Sequence, residues 1–212
     1  MHKDQKFWDR VADKYFANPI RDTEVYEEKL RRSQAVMRPD MTLLEFGCGT
    51  GGTALRHAPH VAHIHATDIS EAMLGHARRQ AAEAGAENIT FERANITDYQ
   101  VAPATYDIIL GLSILHLLRD PQAILANVHR WLKPGGAFIS STACLGDTMG
   151  WFQFVAPIGY ALGRMPYVNV LKQADVTGAL TEADFALDEV WRPNKSLGVF
   201  IIARKGDSAG PE

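Results

Sequence analysis

Between residues 40 and 143, short apolar runs alternate with segments whose apolar residues recur at three- to four-residue spacing. The apolar runs predict five β-strands, at residues 42–46, 61–67, 88–94, 106–112 and 137–143. The periodic segments predict three helices, from near 51 to 58, from 71 to about 84 and from 121 to 132, with Ser70 and Asp120 as N-caps of the last two. Strands that alternate with helices indicate an α/β fold with right-handed crossovers.

The two ends of the chain have a different pattern. Residues 1–38 are mostly polar, with apolar side chains at helical spacing, and they predict N-terminal helices that cap the core. Residues 145–170 form an insert rich in Trp, Phe, Tyr, Gly and Pro. After the insert, the pattern predicts a helix at 171–183 and two strands, at 185–192 and 197–204, joined around residues 192–195.

These elements together predict the fold class. We expect one α/β domain over residues 1–204, with a seven-stranded, mostly parallel sheet and helices on both of its faces. The last two strands are expected to form an antiparallel hairpin, and residues 40–143 to form the ligand-binding core. The small, polar residues 205–212 are expected to be a flexible tail.

A glycine-rich turn follows the first predicted strand. Gly47, Gly49 and Gly52 fit the spacing G-x-G-x-x-G, whereas Gly47, Gly49 and Gly51 fit the denser G-x-G-x-G. Glycine lets the backbone approach a ligand closely because it has no Cβ. Asp68 ends the next predicted strand, and its carboxylate suits a ribose diol. The sequence therefore predicts a nucleoside site at the carboxyl edge of a parallel sheet.

Composition and charge narrow the classes of function. The chain of 212 residues is 46% hydrophobic and 22% charged, which is enough to bury a sizeable core. Its net charge of −3 disfavours a nucleic-acid partner, because phosphate binding requires a basic surface. The N-terminus lacks the apolar segment of a signal peptide, and no apolar run is long enough to cross a bilayer. We therefore expect a cytoplasmic protein.

Cysteines and histidines give no metal-binding pattern. Cys48 and Cys144 are far apart and form no C-x-x-C motif, which favours a reducing compartment and excludes a structural zinc site of that kind. Four histidines, His57, His60, His63 and His65, lie close together in sequence but have no cysteine or carboxylate partner at ligand spacing. We interpret them as surface residues and expect no metal.

Four motifs resemble those of the class I S-adenosylmethionine-dependent methyltransferases, in particular the methyltransferase type 11 and type 25 core. They are Glu45-Phe46-Gly47-Cys48-Gly49-Thr50-Gly51, Thr67-Asp68-Ile69-Ser70, Arg93-Ala94-Asn95-Ile96-Thr97-Asp98, and the run from Tyr106 to Leu118 that precedes Leu132-Lys133-Pro134-Gly135-Gly136. The resemblance covers residues 40–143 well and implies a Rossmann-like sheet. The sequence departs from the family at Asn95, where Asp is common, and at Leu117, where a second His is common.

The resemblance implies S-adenosylmethionine as cofactor, with S-adenosylhomocysteine as product, and it implies a role for each matching residue. Glu45 would hold the cofactor's ammonium group and Asp68 its ribose hydroxyls. The residues implied to contact the rest of the cofactor are Gly47, Cys48, Gly49 and Gly51 at the methionine part, Ile69, Met73, Asn95 and Ile96 at the adenine, and Leu112 at the sulfonium. Tyr15, from the N-terminal helices, would close over it.

The surroundings of the glycines separate this interpretation from a nicotinamide dinucleotide site. Glu45, two residues before the first glycine, is atypical of such sites, and the segment after residue 143 is short for a dehydrogenase's catalytic part. His116 is the titratable candidate near the methyl group, and its ordinary pKa suits a general base. An alternative is that His116 only packs and forms hydrogen bonds at the start of a turn.

The methyl acceptor is less determined than the cofactor. The insert 145–170 predicts a lid over an apolar or aromatic small molecule, although packing on its own sheet and contact with a membrane surface or a second subunit are alternatives. The leading hypothesis is a methyltransferase acting on a small-molecule acceptor, as a monomer or homodimer. The alternatives are methylation of RNA or protein, and a non-catalytic cofactor-binding module of the same fold.

Overall fold

A computed structural model describes residues 3–18, 20, 22–193 and 198–207. The chain divides into two compact units, Met1–Tyr99 and Gln100–Glu212, and each is described by itself.

The first unit contains three parallel strands and four helices. The helices are α1 (Lys3–Ala17), α2 (Thr23–Gln34), α3 (Gly52–His57) and α4 (Glu71–Ala84), and a 3-10 turn at Ala58–His60 follows α3. The strands are β1 (Thr42–Phe46), β2 (His63–Asp68) and β3 (Ile89–Arg93), in the order β3-β2-β1. Most of β1 and half of β2 are buried, as expected for parallel strands covered on both faces.

The register of these strands positions the candidate site. Phe46 pairs with Thr67, and Asp68 pairs with Arg93, so the three strands end at the same edge of the sheet. The glycine turn after β1, Asp68 and the segment after β3 therefore meet at the carboxyl edge, as the sequence predicts.

The second unit contains four strands and three helices. The strands are β4 (Tyr106–Leu112), β5 (Leu132–Thr142), β6 (Phe185–Trp191) and β7 (Val199–Lys205), and the helices are α5 (Pro121–Trp131), α6 (Phe152–Ala161) and α7 (Gln173–Glu182). The strand order is β4-β5-β7-β6. Strands β4 and β5 are parallel, whereas β7 is antiparallel to both β5 and β6.

The two units contribute seven strands to the described sheet, mostly parallel and with an antiparallel end, and this confirms the predicted fold class. The hairpin of β6 and β7 is also confirmed, although residues 194–197 between its strands lie outside the described residues. Residues 208–212 of the predicted tail likewise lie outside them. The assignment of residues 1–204 to a single domain stays a prediction.

Two elements differ from the sequence prediction. Strand β5 begins at Leu132, although a turn was expected at 133–136. The strand pairs Tyr106 with Leu132 and then Ile108 with Ala137, so the turn is present as a bulge inside β5. Helix α6 was not predicted within the insert, because Pro157 and Gly159 weaken the helical pattern there.

Candidate functional site

The glycine turn after β1 is tight and is tied to the next strand. Gly47, Gly49 and Gly51 have φ angles of 69°, 55° and 80°, which favour glycine. The backbone N–H of Cys48 donates to the carbonyl of Thr67 at 3.0 Å, and the N–H of Gly51 donates to the carbonyl of Cys48 at 3.0 Å. The turn therefore exposes its backbone to a ligand instead of a row of side chains.

One of these glycines fits its neighbour closely, and another lies beside an aromatic ring. A Cβ on Gly51 would lie 2.7 Å from Cβ of Ala77, so only glycine lets the turn pack on α4. A Cβ on Gly49 would lie 3.9 Å from a ring carbon of Tyr15. The ring of Tyr15 in α1 therefore lies beside the glycine turn, and its closing over the cofactor stays a prediction.

Asp68 is held at the end of β2 by two backbone donors. Its Oδ2 accepts from the N–H of Gly49 at 2.9 Å, and its Oδ1 accepts from the N–H of Ser70 at 2.8 Å. A carboxylate has about four acceptor positions, so Asp68 can still accept from a cis-diol. Burial raises the pKa of Asp68, and the hydrogen bonds from Ser70 and Gly49 oppose that increase.

Glu45 is the least compensated polar side chain of the site. It is 3% exposed, and among the described residues its Oε2 has no hydrogen-bond partner. Burial, and then the negative charge of Asp68, raise the pKa of Glu45 to about 8. A buried carboxyl group without a partner is costly. A ligand that brings an ammonium group would remove this cost, so the site fits a cationic ligand.

Tyr15 lies close enough to both carboxyl groups to be affected by their charge. Partial burial, and then the charges of Asp68 and Glu45, raise the pKa of Tyr15. Its ring makes an edge-to-face contact with Trp8 at 6.3 Å between centroids. Tyr15 therefore lies over the glycine turn as a neutral aromatic side chain with a polar tip.

Side chains that the sequence analysis missed attach α1 to α4. Asp9 accepts from the hydroxyl of Ser70 at 2.6 Å and from the N–H of Ala72 at 3.4 Å. Ser70 in turn accepts from the N–H of Met73 at 3.2 Å, which confirms it as the N-cap of α4. The start of α4, directly after Asp68, is therefore capped by two side chains, one of them from α1.

A second contact lies two turns further along α4. His76 shares a 2.8 Å hydrogen bond with Asp13, and Arg79 donates to its other ring nitrogen at 2.7 Å. Phe16 stacks on the imidazole at 4.4 Å between ring centroids. Asp9, Asp13 and Phe16 follow at i, i+4 and i+7 on one face of α1, and this spacing was the signal available in the sequence.

The residues predicted to contact adenine differ in how exposed their side chains are. Ile69 is half-buried, whereas Met73 is 1% exposed and belongs to the core. The side-chain oxygen of Asn95 accepts from the N–H of Thr97 at 3.2 Å, and its amide donates to Asp98 at 3.2 Å. These bonds fix the orientation of Asn95 beside the buried Ile96. Adenine binding by these four residues stays a prediction.

The second unit contains the remaining predicted residues. Leu112 ends β4 and pairs with Ser141 of β5, and Ser113 follows with a φ of 58°, which is unusual for a residue other than glycine. His116 lies in a 3-10 turn, Leu115–Leu117. Burial lowers the pKa of His116 to about 4, so its imidazole is neutral at neutral pH. The roles of Leu112 and His116 stay predictions.

The other titratable groups modify one expectation. His57 was expected at the surface, and this prediction was wrong, because its side chain at the end of α3 is fully buried. Burial lowers the pKa of His57 to about 4. Cys48 and Cys144 are buried free thiols. Within the described parts of the chain, no three His, Cys, Asp or Glu side chains are grouped to hold a metal ion. No described helix has the length and apolar character needed to cross a bilayer.

Comparisons with known proteins agree with this geometry. The family described as "Methyltransferase domain" matches residues 43–136. A demethylmenaquinone methyltransferase of Symbiobacterium thermophilum is 30% identical over 159 residues, which cover 71% of this chain and 61% of that protein. The highly reducing polyketide synthase NEC1 of Pyricularia oryzae is 29% identical over 170 residues, which cover 69% of this chain.

Solved structures share the fold. The crystal structure of the YcgJ protein from Bacillus subtilis superposes with a TM-score of 0.70 at 16% identity and covers 86% of this chain and 100% of that one. The chain spans a smaller share of its curated relatives, namely 61% of the demethylmenaquinone methyltransferase and 6% of the polyketide synthase. The match to the Methyltransferase domain family includes the glycine turn, Glu45 and Asp68.

Proposed function

We propose that the chain contains a class I S-adenosylmethionine-dependent methyltransferase core and that it methylates a small molecule with an apolar portion. The observation that carries the cofactor half of the proposal is the buried Glu45, whose carboxyl group lacks a full set of partners beside a glycine turn and Asp68. A cationic amino-acid nucleoside matches each of these three features.

Each of several residues of the first unit would contact a different part of the cofactor. Glu45 would pair with its ammonium group, and Asp68 would accept its two ribose hydroxyls through the lone pairs left free by Gly49 and Ser70. When bound, S-adenosylmethionine supplies a methyl group that is already activated by its sulfonium. Ile69 would cover the adenine, and the ring of Tyr15 would cover the methionine end from α1.

The protein's own contribution to such a reaction is mainly orientation and the exclusion of water. Correct alignment of two reacting groups is worth about 7–11 kcal/mol in favourable cases. Tyr15 would exclude water from the methionine end of the bound cofactor, provided that α1 stays attached to α4. His116 would accept a proton where the acceptor atom carries one, because its imidazole is neutral above about pH 4.

Two observations support a small acceptor with an apolar portion. The net charge of −3 disfavours RNA, and the relative named demethylmenaquinone methyltransferase acts, by its name, on a small molecule. The insert 145–170 is apolar, as expected of a segment that lies near an apolar acceptor.

Calorimetry with S-adenosylhomocysteine tests the cofactor half of the proposal. We expect binding by the wild-type protein and a loss of at least tenfold in affinity for Asp68→Asn, which keeps the side chain's shape but weakens its hydrogen bonds to the diol. Glu83→Gln, which changes an exposed carboxylate of α4 away from the glycine turn, is the matched control. No wild-type binding at millimolar ligand would contradict the proposal.

Incubation of the protein and radiolabelled S-adenosylmethionine with cell extracts tests the acceptor half. We expect label in small molecules that partition into organic solvent, and a mass gain of one methylene in the product. Label in RNA or protein alone would show a macromolecular acceptor. Cofactor binding without transfer to any extract would indicate a non-catalytic binding module.

A further inference from the structure

Helix α6 exposes a stripe of large apolar side chains. The stripe consists of Trp151, Phe154, Val155, Ile158 and Leu162, which are 60%, 73%, 46%, 61% and 63% exposed. Their spacing of i, i+3, i+4, i+7 and i+11 places them on one side of the helix. Ala156 lies away from the stripe and is buried, so the stripe faces the solvent while the helix packs through another side.

Five such side chains in one row are unusual on a surface that meets only water. Single exposed apolar residues are common on soluble proteins, but contiguous apolar patches mark contacts with other molecules. The stripe therefore indicates a contact with another molecule, and the charges around it indicate the class of that molecule.

The sequence segment that carries the stripe lacks acidic residues. Residues 148–174 contain no Asp or Glu, although the whole chain has a net charge of −3. The same segment contains two cations, the exposed Arg164 and Lys172. The acidic residue before it, Asp147, is neutralised by a 2.6 Å ion pair with Arg192.

A third cation lies at the C-terminal end of α6. Arg119 donates to the hydroxyl of Tyr160 at 2.8 Å, and its guanidinium lies 4.4 Å from the ring centroid of Tyr167. Arg164 follows three residues after the end of the helix. Two exposed cations therefore flank the stripe at this end. Arg119 is bound to Tyr160 of α6, and Arg164 is close to the helix in sequence.

We propose that the stripe on α6 docks on an anionic membrane surface, with the helix lying in the plane of the headgroups. Trp and Phe side chains favour the boundary between headgroups and acyl chains, and flanking cations bind anionic lipids. The 10-residue helix is too short to cross a bilayer, so it lies on the surface.

The charges argue against a second copy of the chain as the partner. A twofold dimer built on the stripe would bring the same surface of two molecules together. That arrangement would bring Arg119 and Arg164 to an interface whose residues 148–174 supply no Asp or Glu to neutralise them. An anionic lipid surface satisfies both the apolar side chains and the cations.

Vesicle flotation tests the proposal without any measurement of methyl transfer. We expect the wild-type protein to float with vesicles of phosphatidylcholine and phosphatidylserine, and at least tenfold less strongly with phosphatidylcholine alone. The double substitution Phe154→Ser and Ile158→Ser should lower the partition coefficient at least tenfold, because two inserted side chains are lost. Both positions are exposed, so the fold should be retained. Val190→Ser, at an exposed apolar position of β6, is the matched control and should bind as the wild type does.

Two further measurements separate insertion from simple adsorption. Brominated lipids should quench a fraction of the tryptophan fluorescence, and Trp151→Phe should remove that fraction. Arg164→Gln should weaken binding to anionic vesicles about fivefold, in line with the usual value of one cation at such a surface. Absence of vesicle binding, equal binding by the double variant, or a dimer in solution that the double variant abolishes without any lipid binding would each overturn the proposal.

Discussion

The backbone N–H of Gly49 donates a 2.9 Å hydrogen bond to Oδ2 of Asp68 and so links the glycine turn after β1 to the end of β2. The bond orients a carboxylate that has its other oxygen bound by the N–H of Ser70. Because the main chain supplies both donors, the orientation of the carboxylate is fixed before a ligand binds. Preorganisation of this kind lowers the cost of ordering the site on binding.

Substitution by Ala should change the stability of the protein in opposite directions at Gly51 and at Gly52. Gly51→Ala should destabilise the protein by about 2–4 kcal/mol, because the residue has a φ of 80° and the new Cβ would lie 2.7 Å from Ala77. Gly52→Ala should stabilise it by about 0.5 kcal/mol, since no atom lies within 4 Å of its Cβ position. Urea unfolding followed by circular dichroism measures both values, and equal effects would show that the turn does not pack on α4 as described.

Glu45 should release a proton when the cofactor binds. With a pKa of about 8 the side chain is protonated in the free protein at pH 7, and an ammonium partner would favour its ionised form. Calorimetry at pH 7 in buffers of different ionisation enthalpy should show about one proton released per S-adenosylhomocysteine. Glu45→Gln should abolish the release, and a release that persists in this variant would assign the proton to another group.

The same side chain should affect folding stability. The pKa of Glu45 is raised from 4.5 to about 8 in the folded protein, so the native state binds more protons than the unfolded state between these values. The contribution is fully present below pH 4.5 and is lost as pH rises through about 8. Glu45→Gln should therefore flatten the decline of the free energy of unfolding across that window. Denaturant titrations at several pH values measure the difference, and parallel curves for the two proteins would contradict it.

His57 should limit stability in acid. Its pKa is lowered from 6.5 to about 4 by burial, and both ring nitrogens lack a partner among the described residues. The unfolded state binds the proton first, so stability should fall as pH decreases from 6.5 to about 4. His57→Leu should remove this contribution and stabilise the protein by about 1–2 kcal/mol at neutral pH, because a buried polar group is lost. The exposed His60→Leu is the control and should change little.

His116 provides a test of the proposed general base. If it accepts a proton from the acceptor, kcat/KM should decrease on the acid side near pH 4, because protonation removes the base. His116→Asn should then lower kcat about 10²- to 10⁴-fold with unchanged binding of S-adenosylhomocysteine. An unchanged kcat together with a lower unfolding temperature would assign His116 a packing role.

Asp9 and Tyr15 should act on the cofactor through the same helix. Asp9→Ala removes the 2.6 Å bond to Ser70 and should destabilise the protein by about 1–2 kcal/mol, with weaker cofactor binding because α1 carries Tyr15. Tyr15→Ala should weaken binding directly. Calorimetry on the two variants and on the double variant completes a double-mutant cycle. We expect the double variant to lose less free energy of cofactor binding than the sum of the losses of the two single variants. Lys14→Ala, at an exposed neighbouring position, should bind as the wild type does, and additive losses would exclude coupling through α1.

Much of the fold was determined by local sequence. The apolar runs at 42–46 and 106–112 became strands because a parallel strand buried on both faces needs a continuous apolar run. Ser70 and Asp120 became N-caps because their side chains can reach the backbone N–H three residues later. The glycine turn was also local, since only glycine adopts three positive φ angles within five residues without strain.

Tertiary structure decided the charge states and the contacts between distant segments. Nothing in the residues around Glu45 indicates a pKa of about 8, because that value depends on burial by the whole fold and on the charge of Asp68. Asp9 and Ser70 are 61 positions apart, and their hydrogen bond forms only when α1 packs on α4. The exposure of the α6 stripe likewise depends on which side of the helix meets the protein. Sequence patterns specify elements because they act over a few residues, whereas desolvation and long-range contacts depend on the assembled chain.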